Sequence, residues 1–452
     1  MKNNTMLFVR DRQFYRTMAA IGLPIVMQSI ITIGVNFMDT LMVGTQGENA
    51  LSACSLANSF INIFQILCLG IGGGAAVLTA RCWGSGDIEN LKKTLTIMLR
   101  MCLGISMLFL LASSLFPSEV MRLYTPDAEI IEQGRRYFFF ACITFPLIGI
   151  SSTVTIVLRS VQEVKVPLAA SVVSFFLNIF FNWMFIFGHL GAPAMGIAGA
   201  ALSTLIARSA ETMVITGYLF FIDEKVGYRP IELLKSPASQ RGRYFKYCLP
   251  VVFSDFLLAL GNSMVATIMG HIGSSFVAAN AAVMQVVAVS TICMTAMSSA
   301  ASIMTGNTLG QGDGERAYRD GITFMCVGGI LGVISGIAII LLCPLIVSFF
   351  SFSGETLRIA DMLMYSVAIL TLFDFLQGAL TKGVLRGGGD TKFLLVADTI
   401  FLWLVSLPLG YLAGLVWQLS PFWIYTCLKA DRVIKVFLCA HRLRSRKWIK
   451  KV

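Results

Sequence analysis

Residues 24–47 read PIVMQSIITIGVNFMDTLMVGTQG, and residues 250–273 read PVVFSDFLLALGNSMVATIMGHIG. A shift of 226 positions lays one on the other without a gap. Pro24, Asn36, Gly44 and Gly47 meet Pro250, Asn262, Gly270 and Gly273. The register continues, and Thr79, Gly84, Gly86 and Asp87 meet Thr305, Gly310, Gly312 and Asp313. Over residues 24–87 and 250–313, 13 of 64 positions are identical. A shift of 227 then aligns Val-Leu-Arg at 157–159 and Lys165 with Val-Leu-Arg at 384–386 and Lys392. An apolar chain matches itself by chance at some aliphatic positions. Chance does not bring prolines, loop glycines and acidic residues into one register.

The repeat lies in a chain of 452 residues, 56% hydrophobic and 13% charged. Soluble proteins carry about 25% charged residues. A helix needs about 20 apolar residues to cross a bilayer. The sequence predicts spans near 17–43, 50–80, 94–116, 137–158, 167–188, 195–221, 247–270, 276–306, 322–350, 360–381, 393–416 and 419–440. The fold class is therefore an all-α membrane protein of twelve helices in two six-helix parallel repeats. The last span is interrupted by Lys429, Asp431, Arg432 and Lys435. Several runs exceed one crossing, which implies tilt or extension beyond the bilayer. The domains expected are an N-terminal lobe at 1–222, a cytoplasmic linker at 223–246, and a C-terminal lobe at 247–452 with a basic tail. No short cleavable signal peptide is apparent, because the first apolar run is long and follows a charged tail.

Net charge is +11, and 30 of the 35 Lys and Arg fall in seven segments. These are 1–16, 81–100, 159–165, 222–246, 307–320, 382–392 and 429–452. The alternating loops hold only Arg122, Arg135, Arg136 and Arg358, and Arg208 lies within a span. The pattern predicts both termini in the cytoplasm. Basic residues spread along one membrane face, without a soluble binding domain, do not make a nucleic-acid site. The 11 cysteines have no metal-ligand spacing and the 3 histidines are scattered. No Gly-x-x-x-x-Gly-Lys-Ser/Thr loop occurs, which excludes direct drive by ATP through that motif.

Acidic residues inside spans carry the functional reading. An ionised Asp at a helix centre costs about 2.5–3.5 kcal/mol on insertion scales. Asp39, Glu211, Asp255, Asp374 and Asp398 are such residues, with Arg208 as the in-span cation. Arg208 and Glu211, three apart, form an ion pair on one face. Asp398 lies just beyond Lys392, where water reaches. Gln28, Asn36 and Asp39 are assigned one stripe of the first span. Pro24 frees a carbonyl there and permits a bend. Asn178 and Asn182, four apart, offer donors and acceptors toward Asp39 or toward neighbouring helices. Asp374, one turn before Gln377, and Asp255, after Pro250, form either a second cation or cargo site or passive hydrogen-bonded groups. The 22 Met and 33 Phe suit an adaptable apolar site, and aromatic faces attract organic cations.

These residues resemble the multidrug and toxic compound extrusion family, MATE. The resemblance rests on Pro24-Ile-Val-Met-Gln28, Asp39 and Met-Val-Gly at 42–44, and on Asp374, Gln377 and Val-Leu-Arg-Gly-Gly-Gly-Asp-Thr-Lys at 384–392. Gly196-Ile-Ala-Gly-Ala-Ala-Leu-Ser-Thr204 looks like the start of the family's sixth helix. Arg-Ser-Arg-Lys-Trp at 444–448 looks like its tail. The resemblance covers about 15–450. It implies two bundles around a V-shaped cavity. It also implies export of drugs or metabolites, often organic cations, against inward H⁺ or Na⁺, with no further cofactor. Coupling carboxylates would fall on Asp39 and Asp374, supported by Asn178 and Asn182, and Na⁺ would bind at one or more of these four. Pro24, Gln28, Asn36, Thr204, Asp255 and Gln377 would bend helices or bind cargo. The chain departs from the pattern in three places. Some members have Asp at the position of Asn182, and others have Glu where this chain has Leu258. The counterpart of Gln28 is Ser254. The expected partners are small-molecule cargo and lipid, with a monomer in the cell (inner) membrane. The competing readings are a flippase for lipid-linked saccharides, a passive channel and a multi-spanning membrane enzyme. The enzyme would need a cluster of His, Cys or carboxylates that the sequence lacks.

Overall fold

A computed structural model describes residues 8–9, 11–348 and 354–450. The described residues are helical, with short turns between long rods. In chain order the first are α1 (Arg12–Gly44), α2 (Glu48–Gly84), α3 (Ile88–Leu115) and α4 (Pro117–Arg122). Then come α5 (Ala128–Ala141), α6 (Thr144–Ser160), α7 (Lys165–Phe187) and α8 (Ile197–Gly217). The second half has α9 (Ala238–Ile272), α10 (Ser274–Gly310), α11 (Gly314–Ser348) and α12 (Gly354–Gly378). It ends with α13 (Thr391–Ile400), α14 (Leu407–Tyr411), α15 (Pro421–Leu428) and α16 (Ala430–Arg444). Wider π turns extend α8 to Ile222, extend α12 to Leu385, and join α13 to α14 and onward to Val416.

Among the described residues, ten of these rods are long and apolar enough to cross a membrane. An eleventh crossing is the pair α5 and α6, bent by 53°. The twelfth segment is α15 with α16, broken at Lys429 into 8 and 15 residues. The charges that interrupt the last predicted span are the residues at and after this break. The 37-residue α2 and α10 would each measure about 55 Å at 1.5 Å per residue. That exceeds a hydrocarbon core of about 30 Å, so both extend past it. The tail of the predicted ninth span, residues 349–350, lies outside the described residues.

The chain divides into two compact units. One comprises Leu23–Trp83 and Asp87–Cys248; the other takes the chain up to Gly22, Gly84–Gly86 and everything from Leu249. The main divisions, before Leu23 and before Leu249, are themselves 226 positions apart. The start of α1 therefore groups with the second unit, where Phe14 packs on Phe324 at 5.1 Å. The segment after α8 is docked on α3 rather than free. Tyr228 is fully buried, with its hydroxyl 2.8 Å from Thr96 Oγ1. Arg100 donates to the carbonyls of Leu233 and Lys235 at 2.5 and 3.0 Å.

The internal repeat is present in backbone detail. Gly86 and Gly312 have φ of +73° and +83°, a region L side chains disfavour. At the same turns the amides of Asp87 and Asp313 donate to the carbonyls of Cys82 and Thr308. Asp87 and Asp313 then accept from backbone amides three residues on, at 3.1 and 2.8 Å. The 227-shifted pair repeats this. The amides of Glu163 and Asp390 donate to Leu158 and Leu385. The adjacent left-handed residue is Gln162 in one unit and Gly389 in the other.

Small residues let helices close. A methyl on Gly199 of α8 would lie 2.6 Å from the Phe185 carbonyl of α7. One on Gly336 of α11 would lie 2.7 Å from the Ala368 carbonyl of α12. Such contacts drive helix association where lipid removes the hydrophobic incentive.

Candidate functional site

α7 has its polarity inverted relative to a soluble helix. Ser171, Ser174, Asn178 and Asn182 are buried, while Phe176, Phe180 and Trp183 are exposed. Spacings of three and four keep the polar residues on one stripe. That stripe meets α1. Asn182 Nδ2 donates to Asp39 Oδ1 at 2.5 Å and to Asn178 Oδ1 at 3.3 Å. Asn178 and Asn182 are 1% and 0% exposed. Among the described residues, Asn178 Nδ2 and Asn182 Oδ1 are buried without a partner. The site thus holds one carboxylate, two amide oxygens and an unused donor. Such oxygen ligands suit a proton or a hard cation. Arg208 and Glu211 pair at 2.7 Å on α8.

The assigned stripe of α1 separates. Gln28 is held at both ends: its Nε2 donates to Ser171 Oγ at 2.9 Å, and Arg159 of α6 donates to its Oε1. Asn36 is exposed. At 100° per residue, position 36 lies about 80° from position 28, whereas position 39 lies within about 20° of it. Asn36 therefore falls off the face shared by Gln28 and Asp39. α1 is helical through Pro24 from Arg12 to Gly44. Thr204 forms no hydrogen bond to Asp39, Asn178 or Asn182 among the described residues.

In the second unit each candidate carboxylate has its own cation. Arg386 donates to Asp255 Oδ1 at 3.2 Å. Arg432 of α16 is paired with Asp374. Gln377 makes no side-chain hydrogen bond among the described residues. Asp398 is 5% exposed, so it lies away from the water expected near Lys392. It accepts from Ser254 at 3.0 Å and pairs with Lys435 at 3.2 Å. Lys435 also pairs with Asp431 at 2.9 Å, and Ser406 donates to the same Asp431.

Sequence reasoning missed this charge network. Lys382 and Arg386 read as loop residues beyond the tenth span, and Lys429, Asp431, Arg432 and Lys435 read as charges interrupting the last one. The helices there carry the residues inside. The i,i+4 spacing of Asp431 and Lys435 was a usable signal. The count of in-span charges as mainly acidic is corrected accordingly: this network combines five cations with four carboxylates.

The repeat register compares the units without reference to their mutual placement. Gln28, Arg159 and Ser171 correspond to Ser254, Arg386 and Asp398, and both sets form a polar node. Asp39, Asn178 and Asn182 correspond to Val265, Val405 and Leu409. Val265 is 3% exposed in an apolar core with Met269, Phe276 and Leu363. The carboxylate–amide site thus exists in the first unit alone.

Two repeated units of membrane-crossing helices, one with a half-buried carboxylate on buried amides, define a transport protein of the two-repeat class. The chain belongs to the MatE family, whose profile matches it twice, at residues 24–184 and 250–412. A probable multidrug resistance protein NorM of Neisseria meningitidis is 24% identical over 427 residues, covering 93% of this chain and 91% of that protein. In fold, a MATE structure in the bent conformation has a TM-score of 0.85 at 15% identity, covering 97% and 99% of the two chains. A MOP superfamily transporter of Pyrococcus furiosus, described with a binding pocket of reverse polarity, has a TM-score of 0.85 at 16% identity, covering 98% and 100%. The chain is a multi-span membrane transporter of the drug-extrusion family, not an enzyme.

Proposed function

We propose that the chain is a secondary antiporter that exports amphiphilic organic compounds, organic cations among them, in exchange for H⁺ or Na⁺. The coupling ion binds at Asp39, Asn178 and Asn182, and the protein acts as a monomer in the cell (inner) membrane with both termini cytoplasmic. The observation that carries this reading is the part-buried Asp39–Asn182–Asn178 contact with its two amide atoms unpartnered among the described residues. A half-buried carboxylate facing buried amides is poised to take up a cation. Uptake neutralises it, which changes what α1 and α7 hold together. Asp374 stands second as a coupling site, because Arg432 already balances it. NorM relatives are multidrug resistance proteins, and that supports small-molecule cargo.

The test uses purified protein in liposomes under an imposed pH or sodium gradient with a panel of cationic and zwitterionic dyes. Efflux should follow one gradient and collapse to the level of protein-free vesicles in Asp39→Asn, with expression unchanged. Gradient-driven efflux at wild-type rate in that variant would sink the assignment. A lipid-linked saccharide flippase is the second reading. The cations of the second unit favour it, and transbilayer movement of such a lipid without dye efflux would establish it.

A further inference from the structure

The charges of the second unit do not cancel. Arg386 balances Asp255 and Arg432 balances Asp374. Lys435 serves both Asp398 and Asp431. Two lysines remain. Among the described residues, Lys429 donates only to the neutral amide oxygen of Asn262, at 3.2 Å. Lys382 is exposed and has no hydrogen-bond or ion-pair partner among the described residues. It nevertheless lies in the stretch Gly354–Leu385, which is long and apolar enough to span a membrane. It stands three residues before the end of that stretch, and ionisable residues within spanning segments usually pair or mark a pathway.

Lys382 does not stand on an isolated outer face. Gly378, four residues before it, is packed so closely that a methyl there would lie 2.8 Å from Met294. Arg386, four residues after it, reaches Asp255 on α9. Lys382 is within electrostatic reach of Asp255, Arg386, Asp398 and Arg432. The carboxylates around it are already held by other cations. The partner that fits is an anion from outside the chain.

Building on the transporter reading, we propose that Lys382 binds the anionic group of an amphiphile, a carboxylate or a phosphate. The cargo is then zwitterionic or anionic at one end rather than a simple organic cation. The anion is carried either by a soluble cargo or by a lipid headgroup, and the chemistry at Lys382 is the same.

Rhodamine B and its ethyl ester separate the sources. They share one cationic ring system and differ in a free carboxylate. Binding is read by fluorescence anisotropy with the full chain in nanodiscs of phosphatidylcholine, then of phosphatidylcholine with phosphatidylglycerol. Wild type should bind rhodamine B about tenfold more tightly than the ester, equivalent to ~1.4 kcal/mol. Lys382→Gln should abolish the preference while leaving ester affinity unchanged, and Lys382→Arg should retain it. Unchanged ester affinity also shows that the variant is folded. A preference kept in both membranes assigns the site to soluble cargo. A preference lost with phosphatidylglycerol assigns it to a lipid headgroup. Equal or weaker binding of rhodamine B in phosphatidylcholine, its failure to bind at all, or a preference that survives Lys382→Gln, overturns the proposal. If Asp39→Asn transports normally while the carboxylate preference persists, the coupling assignment fails and this site stands.

Discussion

Asp39 and Asn182 illustrate how a side chain becomes functional through what is missing around it. A buried amide normally satisfies both its donor and its acceptor. Asn182 uses its Nδ2 twice, while its Oδ1 is left unpartnered among the described residues. That oxygen and the Asp39 carboxylate can face one cation. Asn182→Leu keeps a similar volume and removes the oxygen. Losing one partner in a cation site costs on the order of 10–100-fold in affinity. The half-saturating concentration of coupling ion should therefore rise by about that factor in liposome efflux. An unchanged ion dependence would remove Asn182 from the site. Asn36→Leu, on the exposed flank of the same helix, should leave the ion dependence alone.

At the scale of elements, α16 joins the second unit through charge. Lys435 is 0% exposed and faces two carboxylates from α13 and from its own helix. Removing one member of a buried ionic group leaves uncompensated charge and costs about 3–5 kcal/mol, whereas replacing the whole group with apolar residues is often neutral. Lys435→Met should therefore lower thermal stability in detergent sharply. The triple change Lys435→Met, Asp398→Leu, Asp431→Leu should recover most of that loss. A triple variant less stable than Lys435→Met would show that the carboxylates have other essential partners. The α11–α12 contact makes a simpler case. Gly336→Leu must displace a backbone carbonyl and should cost about 1–3 kcal/mol, read as a lowered melting temperature.

These elements also show what a linear reading can reach. The long apolar rods and the Gly86 and Gly312 turns follow from composition and local backbone rules, so they were legible in advance. The pairing of Asp39 with Asn182 was legible because two amides four apart must share a face. The cations of the second unit were not. Lys382 looks like the end of a span and Lys429 like a break within one, and only the wider π turns and the break before α16 place them within the unit. Asn36 was misassigned because a stripe drawn through three residues spans about 80° of helix surface.

For the whole molecule, the repeat constrains topology. Each half carries an even number of crossings when α5–α6 and α15–α16 each count once. Even halves have the same orientation, so an axis along the membrane normal should relate them. Superposing residues 23–248 on 249–452 should then bring Pro24 onto Pro250 and Gly86 onto Gly312. An experimental structure with inverted halves would refute this. The same parity puts the segment after α8 on the side of the basic loops and the start of α12 on the other. Ser236 and Gly354 are both exposed, so single cysteines placed there in an otherwise cysteine-free chain should react from opposite sides of sealed vesicles. An impermeant maleimide added outside right-side-out vesicles should label the Gly354→Cys protein, and label Ser236→Cys only after the membrane is permeabilised. Labelling of both from one side would mean an even number of crossings between them, and the parallel arrangement of the halves would fall with it.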